Sequence, residues 1–190
     1  MNTTPPRPRA PGAVLSALAL ACALLSLALP LLMVDPGDFT LAPQAWWQAE
    51  GLPELLWRAV TPAALLLACL RALWPTPGWG GTLTLAVLTA IASLGLIHLA
   101  PTDETQVAAS GYWLATLALV ALCGVSVWRS AHLPDSPRSR ALTAGLFGLW
   151  LLLLWEQLVT AFAVPRVLLP PPSSVVVALW QHAGTLRSEE

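Results

Sequence analysis

The chain has 190 residues, of which 56% are hydrophobic and 10% are charged, and its formal net charge is −1. Soluble domains carry about 25% charged residues, so this composition indicates a membrane protein. All nine basic residues are arginine, and the absence of a net positive charge excludes nucleic acid as a partner. Three cysteines lie in three separate apolar runs without a Cys-x-x-Cys pair, which argues against a disulfide framework or a thiol-redox enzyme.

Long apolar runs between polar segments predict an all-α membrane protein with five transmembrane helices, a cytoplasmic N-terminus and a short interfacial helix at the C-terminus. Residues 1–12 carry four prolines and two arginines, which predict a disordered cytoplasmic tail. Residues 13–128 are expected to form an accessory bundle of four spans, at residues 13–34, 55–74, 82–100 and 111–128. Residues 129–140 form a predicted cytoplasmic loop, and residues 141–164 form the last span.

The first two spans leave alternatives open. Arginines precede the first run, as in a cleaved signal peptide, but the run exceeds the usual apolar region of about 7–15 residues, which favours a retained helix. The second run carries Arg58 and Arg71 near its ends, where they can snorkel, and Glu54 has ion-pair spacing to Arg58. Between the two runs, a pair of tryptophans suggests a short interfacial helix near residues 43–50.

The distribution of arginine predicts the orientation. The tail holds two arginines, Arg71 precedes the next turn, and residues 129–140 hold three. The alternate loops, residues 35–54 and 101–110, hold none. Because basic loops are retained in the cytoplasm, the tail is predicted to be inside and the segment after the fifth span outside, at the inner membrane of a cell.

Glu156 is a carboxylate well inside an apolar run. It lies in the outer half of the predicted fifth span, and burying an ionisable residue in the membrane costs at least about 2.5–3.5 kcal/mol, so it suggests a function by default. Three roles remain open: a structural role, either near the outer interface or in a bond to a neighbouring helix or Gln157; a place in a translocation path; and a proton relay with His98. The histidine spacing fits no metal site, and no nucleophile or phosphate-binding motif is found, so no metal, cofactor or catalytic residue is predicted.

A proline-rich step follows the last span. Pro170-Pro171-Pro172 forces an extended run, which cannot face lipid at depth and is therefore predicted at the outer surface. Ser173 or Ser174 is expected to cap an amphipathic helix at residues 174–184.

This succession of parts resembles the start of permease subunits of binding-protein-dependent ABC importers of the sulfonate, taurine and nitrate group. In those proteins the first span ends with Leu-Trp-Glu/Gln-Leu. A sequence similar to Leu-Leu-Pro-x-Pro-x-x-Val and a short outer helix follow it. Here the corresponding segments are residues 154–158 and 168–175. The residues of the family-like motif are Trp155, Glu156, Leu169, Pro170 and Pro172.

The resemblance covers about residues 142–190 and implies uptake of a small organic anion. It also implies an ABC ATPase subunit and an external substrate-binding protein as partners, and it is compatible with a homodimer. The four preceding spans would be an extra module. The rest of the transport core and the Glu-Ala-Ala loop that docks the ATPase are missing from these 190 residues. The chain is therefore expected to be part of a longer permease, a split or frameshifted product, or a relic. The alternative is a standalone membrane scaffold or accessory protein without transport activity.

Overall fold

The computed structural model describes residues 11–35, 37, 40–49, 51–74, 78–101, 105–165 and 167–187. Most of the predicted N-terminal tail, at residues 1–10, lies outside these ranges, as do residues 75–77 between the second and third predicted spans. Within the described ranges the fold is all-α with one small sheet of three strands.

The helices and strands follow the apolar runs of the sequence. The helices are α1 (Pro11–Ala28), α2 (Leu52–Leu73), α3 (Trp79–His98), α4 (Ser110–Ala131), α5 (Pro137–Ala161) and α6 (Pro172–Arg187). The strands are β1 (Leu32–Val34), β2 (Ala42–Gln44) and β3 (Gln106–Ala108). Among the described residues, four helices, α2 to α5, are long and apolar enough to cross a membrane, while α1 is a shorter apolar helix. The chain thus has the helices of a multi-pass membrane protein.

The first helix ends at Ala28, so the predicted span at residues 13–34 is too long. Pro30 lacks an amide hydrogen and disfavours the helical conformation in the residue before it, and the helix stops there. Leu32–Val34 then forms strand β1 instead of a further helical turn.

The small sheet closes one end of the helical bundle. Strand β1 lies in the centre and pairs antiparallel with β2 and β3. Because β2 belongs to the α1–α2 connection and β3 to the α3–α4 connection, the sheet ties the two connections together. The predicted interfacial helix near residues 43–50 is wrong, since Ala42–Gln44 pairs with β1 as a strand. We call this end of the molecule the sheet end.

Helix α4 is the centre of the bundle and packs against α1, α2, α3 and α5. Without a hydrophobic drive between helices in lipid, association depends on close packing, which small side chains permit. Ala19 and Ala23 of α1, and Ala115 and Ala118 of α4, are fully buried in one continuous core. The core is therefore built largely by α1 to α4, and α5 lies at its edge.

Gly111 marks a very close approach of two chain segments. Its amide donates to the Pro30 carbonyl at 3.0 Å, which joins the start of α4 to the residues after α1. A Cβ atom at this position would lie 2.6 Å from the Pro30 carbonyl oxygen. A side chain at residue 111 would therefore push the first turn of α4 away from α1.

The connection between α4 and α5 is shorter than the predicted loop at residues 129–140, because helix α4 continues to Ala131 and α5 begins at Pro137. Ser136 and Ser139 form a capping box at the start of α5, with the Ser139 amide donating to Ser136 Oγ at 3.1 Å. The predicted last span, residues 141–164, accordingly begins four residues too late. We call this end of the molecule, which carries Arg71, Arg129, Arg138 and Arg140, the arginine end.

Candidate functional site at the junction of two helices

Helix α5 ends in a Schellman motif. The Val164 amide donates to the Val159 carbonyl at 3.1 Å, and the Ala163 amide donates to the Thr160 carbonyl at 3.0 Å. Ala163 adopts the left-handed conformation, with φ at +48°. The motif ends the last span at Ala161, not at residue 164, and redirects the chain into the proline-rich step.

The proline-rich step leads directly into α6. Pro171 is buried, and its carbonyl accepts from the Ser174 amide at 3.0 Å, so Pro171 occupies the capping position. Pro172 is the first helical residue, where its fixed φ suits a helix start. The predicted cap at Ser173 or Ser174 is therefore wrong, as is the predicted end of the helix at residue 184, since α6 continues to Arg187.

The capping acceptor for α6 comes from α5. A proline at the capping position has no side-chain oxygen, and the Glu156 carboxylate supplies one. Its Oε2 accepts from the Ser173 amide at 2.8 Å, and its Oε1 accepts from Ser173 Oγ at 2.7 Å. A carboxylate at a helix N-terminus satisfies an unpaired amide and interacts favourably with the helix dipole. Glu156 thus joins α5 to α6 through two hydrogen bonds between the helices.

Gln157, the next residue, points toward α4. Its side chain is fully buried, and Nε2 donates to Thr116 Oγ1 at 2.7 Å. Gln157 Oε1 has no hydrogen-bond partner among the described residues. A second polar contact also joins α5 to α4: Trp150 Nε1 of α5 donates to Ser126 Oγ of α4 at 2.8 Å. The sequence analysis considered Gln157 only as a partner of Glu156, although an amide in an apolar run is itself a signal of a helix contact.

The other residues of the family-like motif are dispersed around this junction. Trp155 and Leu169 have exposed side chains, at 38% and 43%. Pro170 is exposed, and Pro172 starts α6 beside the Glu156 contact. The structure therefore brings together Glu156 and the start of α6, while the remaining motif residues set the path of the chain between the two helices.

The histidines with described side chains lie at opposite ends of the bundle. The rings of His98 and Trp57 are 5.3 Å apart, and those of His132 and Trp128 are 4.4 Å apart. In the described ranges no three histidine, cysteine or acidic side chains are grouped so that they could hold a metal ion.

The sheet end holds one buried charge beside the strands. Arg58 pairs with Glu54 at 2.6 Å, as their spacing in the sequence predicts, and its Nη1 donates to the Ala45 carbonyl at 2.7 Å. Trp46 is buried nearby in the fold, and its Nε1 donates to the Ser26 carbonyl at 2.9 Å. These contacts fix the residues around β2 to the ends of α1 and α2.

No protein family model, curated protein sequence or solved structure matches this chain.

Proposed function

We propose that this chain is the N-terminal, membrane-embedded part of an ABC importer permease that takes up a small organic anion such as a sulfonate. The contact between Glu156 and Ser173 carries the proposal. It joins the two halves of the family-like motif, the end of one span and the start of the helix after the prolines. In this proposal Glu156 holds the outer helix on the first permease span.

The position of α5 supports a division into an accessory bundle and a permease span. The main core belongs to α1 to α4 and includes only Ala161 from α5. Helix α5 leaves a wide apolar face exposed, with Phe147, Leu151 and Leu152 at 50–56% exposure. This face is suited to lipid or to further spans of a transport core.

Five crossings with a cytoplasmic N-terminus complete the proposal. Helix α1 has 18 residues, which at about 1.5 Å each give about 27 Å, close to the roughly 30 Å of a hydrocarbon core. The four arginines at the arginine end favour a cytoplasmic position for that end. The charge of Arg58 at the sheet end is offset by Glu54. Helix α6 then lies at the outer surface of the inner membrane, and the partners are an ABC ATPase inside and a substrate-binding protein outside.

Uptake by cells tests this function. Cells in which the gene for this chain is deleted should lose growth on at least one of a panel of alkanesulfonates given as the sole sulfur source, and the gene should restore it. The Glu156→Ala gene should restore growth less well than the Ser174→Ala gene, because the Glu156 carboxylate holds the start of α6 through the Ser173 amide. Unchanged growth of the deletion strain on every compound of the panel would contradict the proposal.

A standalone membrane scaffold is the second candidate. It is favoured by the core of α1 to α4, which is continuous and closed by its own sheet. Purification of the tagged chain from its own membranes in mild detergent separates the two candidates. The permease proposal expects an ABC ATPase subunit to co-purify, whereas the scaffold expects none.

A further inference from the structure

The start of α6 lies beside the last part of α5 and not beyond its end. Ser173 donates to both oxygens of the Glu156 carboxylate. Glu156 precedes the end of α5 at Ala161 by about 7.5 Å, at 1.5 Å per residue. Helical side chains lean toward the N-terminus of their own helix, so the carboxylate lies no closer to the end of α5 than the backbone of Glu156 does. The first turn of α6 is therefore more than one helical turn back from the end of α5.

This position along α5 corresponds to a depth in a bilayer. The apolar part of α5, residues 141–161, is about 30 Å long, which equals the usual thickness of the hydrocarbon core. When this segment spans the core, Ala161 lies at the boundary of the hydrocarbon at the sheet end. The first turn of α6 then lies about 5–10 Å inside this boundary, the depth to which interfacial helices bury their apolar face.

The backbone of this first turn needs no water. Pro172 has no amide hydrogen, and the Ser173 amide donates to Glu156 Oε2 at 2.8 Å. The amides of the next two residues both donate to the Pro171 carbonyl, at 3.0 and 3.3 Å. A helix start otherwise leaves amides that only water or a cap can satisfy, and an unsatisfied amide is costly in hydrocarbon. The first turn of α6 therefore meets the backbone condition for burial in lipid.

The side chains that follow leave α6 without a polar face. Residues 175–180 read Val-Val-Val-Ala-Leu-Trp, and at about 100° per residue they point in every direction around the helix axis. A helix that is apolar all round belongs inside a protein or a membrane, whereas a helix lying on a membrane surface has a polar face. The large side chains of this segment are 37–84% exposed: Val175, Val176, Val177, Leu179 and Trp180.

Lipid suits this segment better than another helix does. Contacts between spans depend on small residues that let two backbones approach, and among residues 175–180 only Ala178 is small. The other five side chains are branched or aromatic and fit acyl chains. Polar residues border the segment on both sides, Ser174 before it and Gln181 after it.

We infer that residues 173–180 form a re-entrant segment immersed in the hydrocarbon of the leaflet at the sheet end. Acyl chains of lipids cover this segment on the sides that face away from α5, and from Gln181 onward the chain returns to the headgroups. The inference requires α5 to cross the membrane, but it does not depend on the transport function.

Spin labels on opposite sides of α6 test the immersion. The full chain, with its native cysteines replaced by alanine, is labelled at Val175→Cys or Val177→Cys and reconstituted into phosphatidylcholine nanodiscs. Electron paramagnetic resonance measures collisions of each label with oxygen, which concentrates in hydrocarbon, and with a water-soluble nickel chelate. At both positions we expect the ratio of oxygen to nickel collisions to exceed that at Val167→Cys by about fivefold, because a hydrated chelate is excluded from hydrocarbon.

Two reference labels separate the possible results. Val167→Cys, whose parent side chain is 95% exposed in the connection, gives the value for water, and Leu152→Cys, on the exposed side of α5, gives the value for lipid. Nickel collisions at Val175→Cys or Val177→Cys as frequent as at Val167→Cys would indicate a helix on the surface and overturn the inference. Rare collisions with both reagents would indicate a protein partner around α6 and overturn it too. A water-like value at Leu152→Cys would refute the crossing of α5 on which the inference rests.

A charge placed on α6 gives a second test. Val177→Asp introduces a carboxylate too short to reach water from the immersed segment, so we expect α6 to move toward the headgroups and nickel collisions at Val175→Cys to rise about fivefold. Gln181→Asp, at the polar border of the segment, is the matched control and should leave these collisions unchanged. An equal response to the two substitutions, or none to Val177→Asp, would contradict the immersion.

Discussion

Ala163 shows how a single residue ends the last span. It holds a left-handed conformation at the position of a Schellman motif where glycine is usual. For residues other than glycine this conformation costs roughly 1–2 kcal/mol, because Cβ crowds the following carbonyl oxygen. The chain accepts the cost because the two hydrogen bonds of the motif, from the amides of Ala163 and Val164, turn it toward the proline-rich step.

Replacing this alanine should stabilise the protein. We expect Ala163→Gly to raise the free energy of unfolding by about 1 kcal/mol, because it relieves the strained conformation. Ala144→Gly, at an exposed position inside α5, should lower it by about 0.5–1 kcal/mol. Denaturant unfolding in detergent, followed by circular dichroism, measures both. A loss of stability in Ala163→Gly would show that the left-handed conformation is not strained.

At the scale of secondary-structure elements, α5 and α6 are coupled by one side chain. Helix α6 presents mostly exposed apolar residues, such as Val176, Leu179 and Trp180, so little packing holds it. The Glu156 carboxylate is therefore a large part of what positions its first turn. Glu156, a polar residue in an apolar run, thus supplies a hydrogen-bond acceptor to a helix that begins 16 residues later in the chain.

Removing the carboxylate should loosen the start of α6. In Glu156→Ala the Ser173 amide loses its acceptor, and a lost helix cap costs about 1 kcal/mol. Amide exchange of the first turn of α6 should become about fivefold faster, as measured by hydrogen–deuterium exchange in nanodiscs. Ser174→Ala, which removes a neighbouring hydroxyl, is the control and should exchange as the wild type does. Equal rates in Glu156→Ala and wild type would mean that the carboxylate does not hold α6.

At the scale of the whole molecule, alternating helices place the connections at two ends. The sheet end contains the α1–α2 and α3–α4 connections and the start of α6, and the arginine end contains the α4–α5 connection. In the arrangement that we propose, both ends face water and all of α1 to α5 cross the membrane. The native cysteines, Cys22, Cys69 and Cys123, are buried free thiols, as their apolar surroundings in the sequence suggest.

Labelling of introduced cysteines tests this arrangement. With the native cysteines replaced by alanine, Val167→Cys, whose parent side chain is 95% exposed beyond the end of α5, should react with a membrane-impermeant maleimide added to intact cells. Pro134→Cys, at an exposed position of the α4–α5 connection, should react only after the cells are opened. Labelling of both positions from outside would refute a cytoplasmic arginine end.

Long apolar runs predict most of the helices, because spanning a membrane requires length and hydrophobicity, which are both local properties. The ends of the helices are less predictable, since they depend on caps: Ser136 starts α5 early, and Pro30 stops α1. The sheet was missed because its strands have only three residues each. Such short segments give little local signal, and β1 pairs with a strand from a distant connection.

The sequence by itself determined the class of the protein, its apolar helices and the Glu54–Arg58 pair, because composition, run length and helical spacing are local. Only the tertiary structure decided where the side chains of Glu156 and Gln157 point. Adjacent residues on a helix face different directions, so one carboxylate reaches the start of α6 and one amide reaches Thr116. Their partners lie 17 and 41 residues away in the chain, and only the packing of the helices brings them within hydrogen-bond distance.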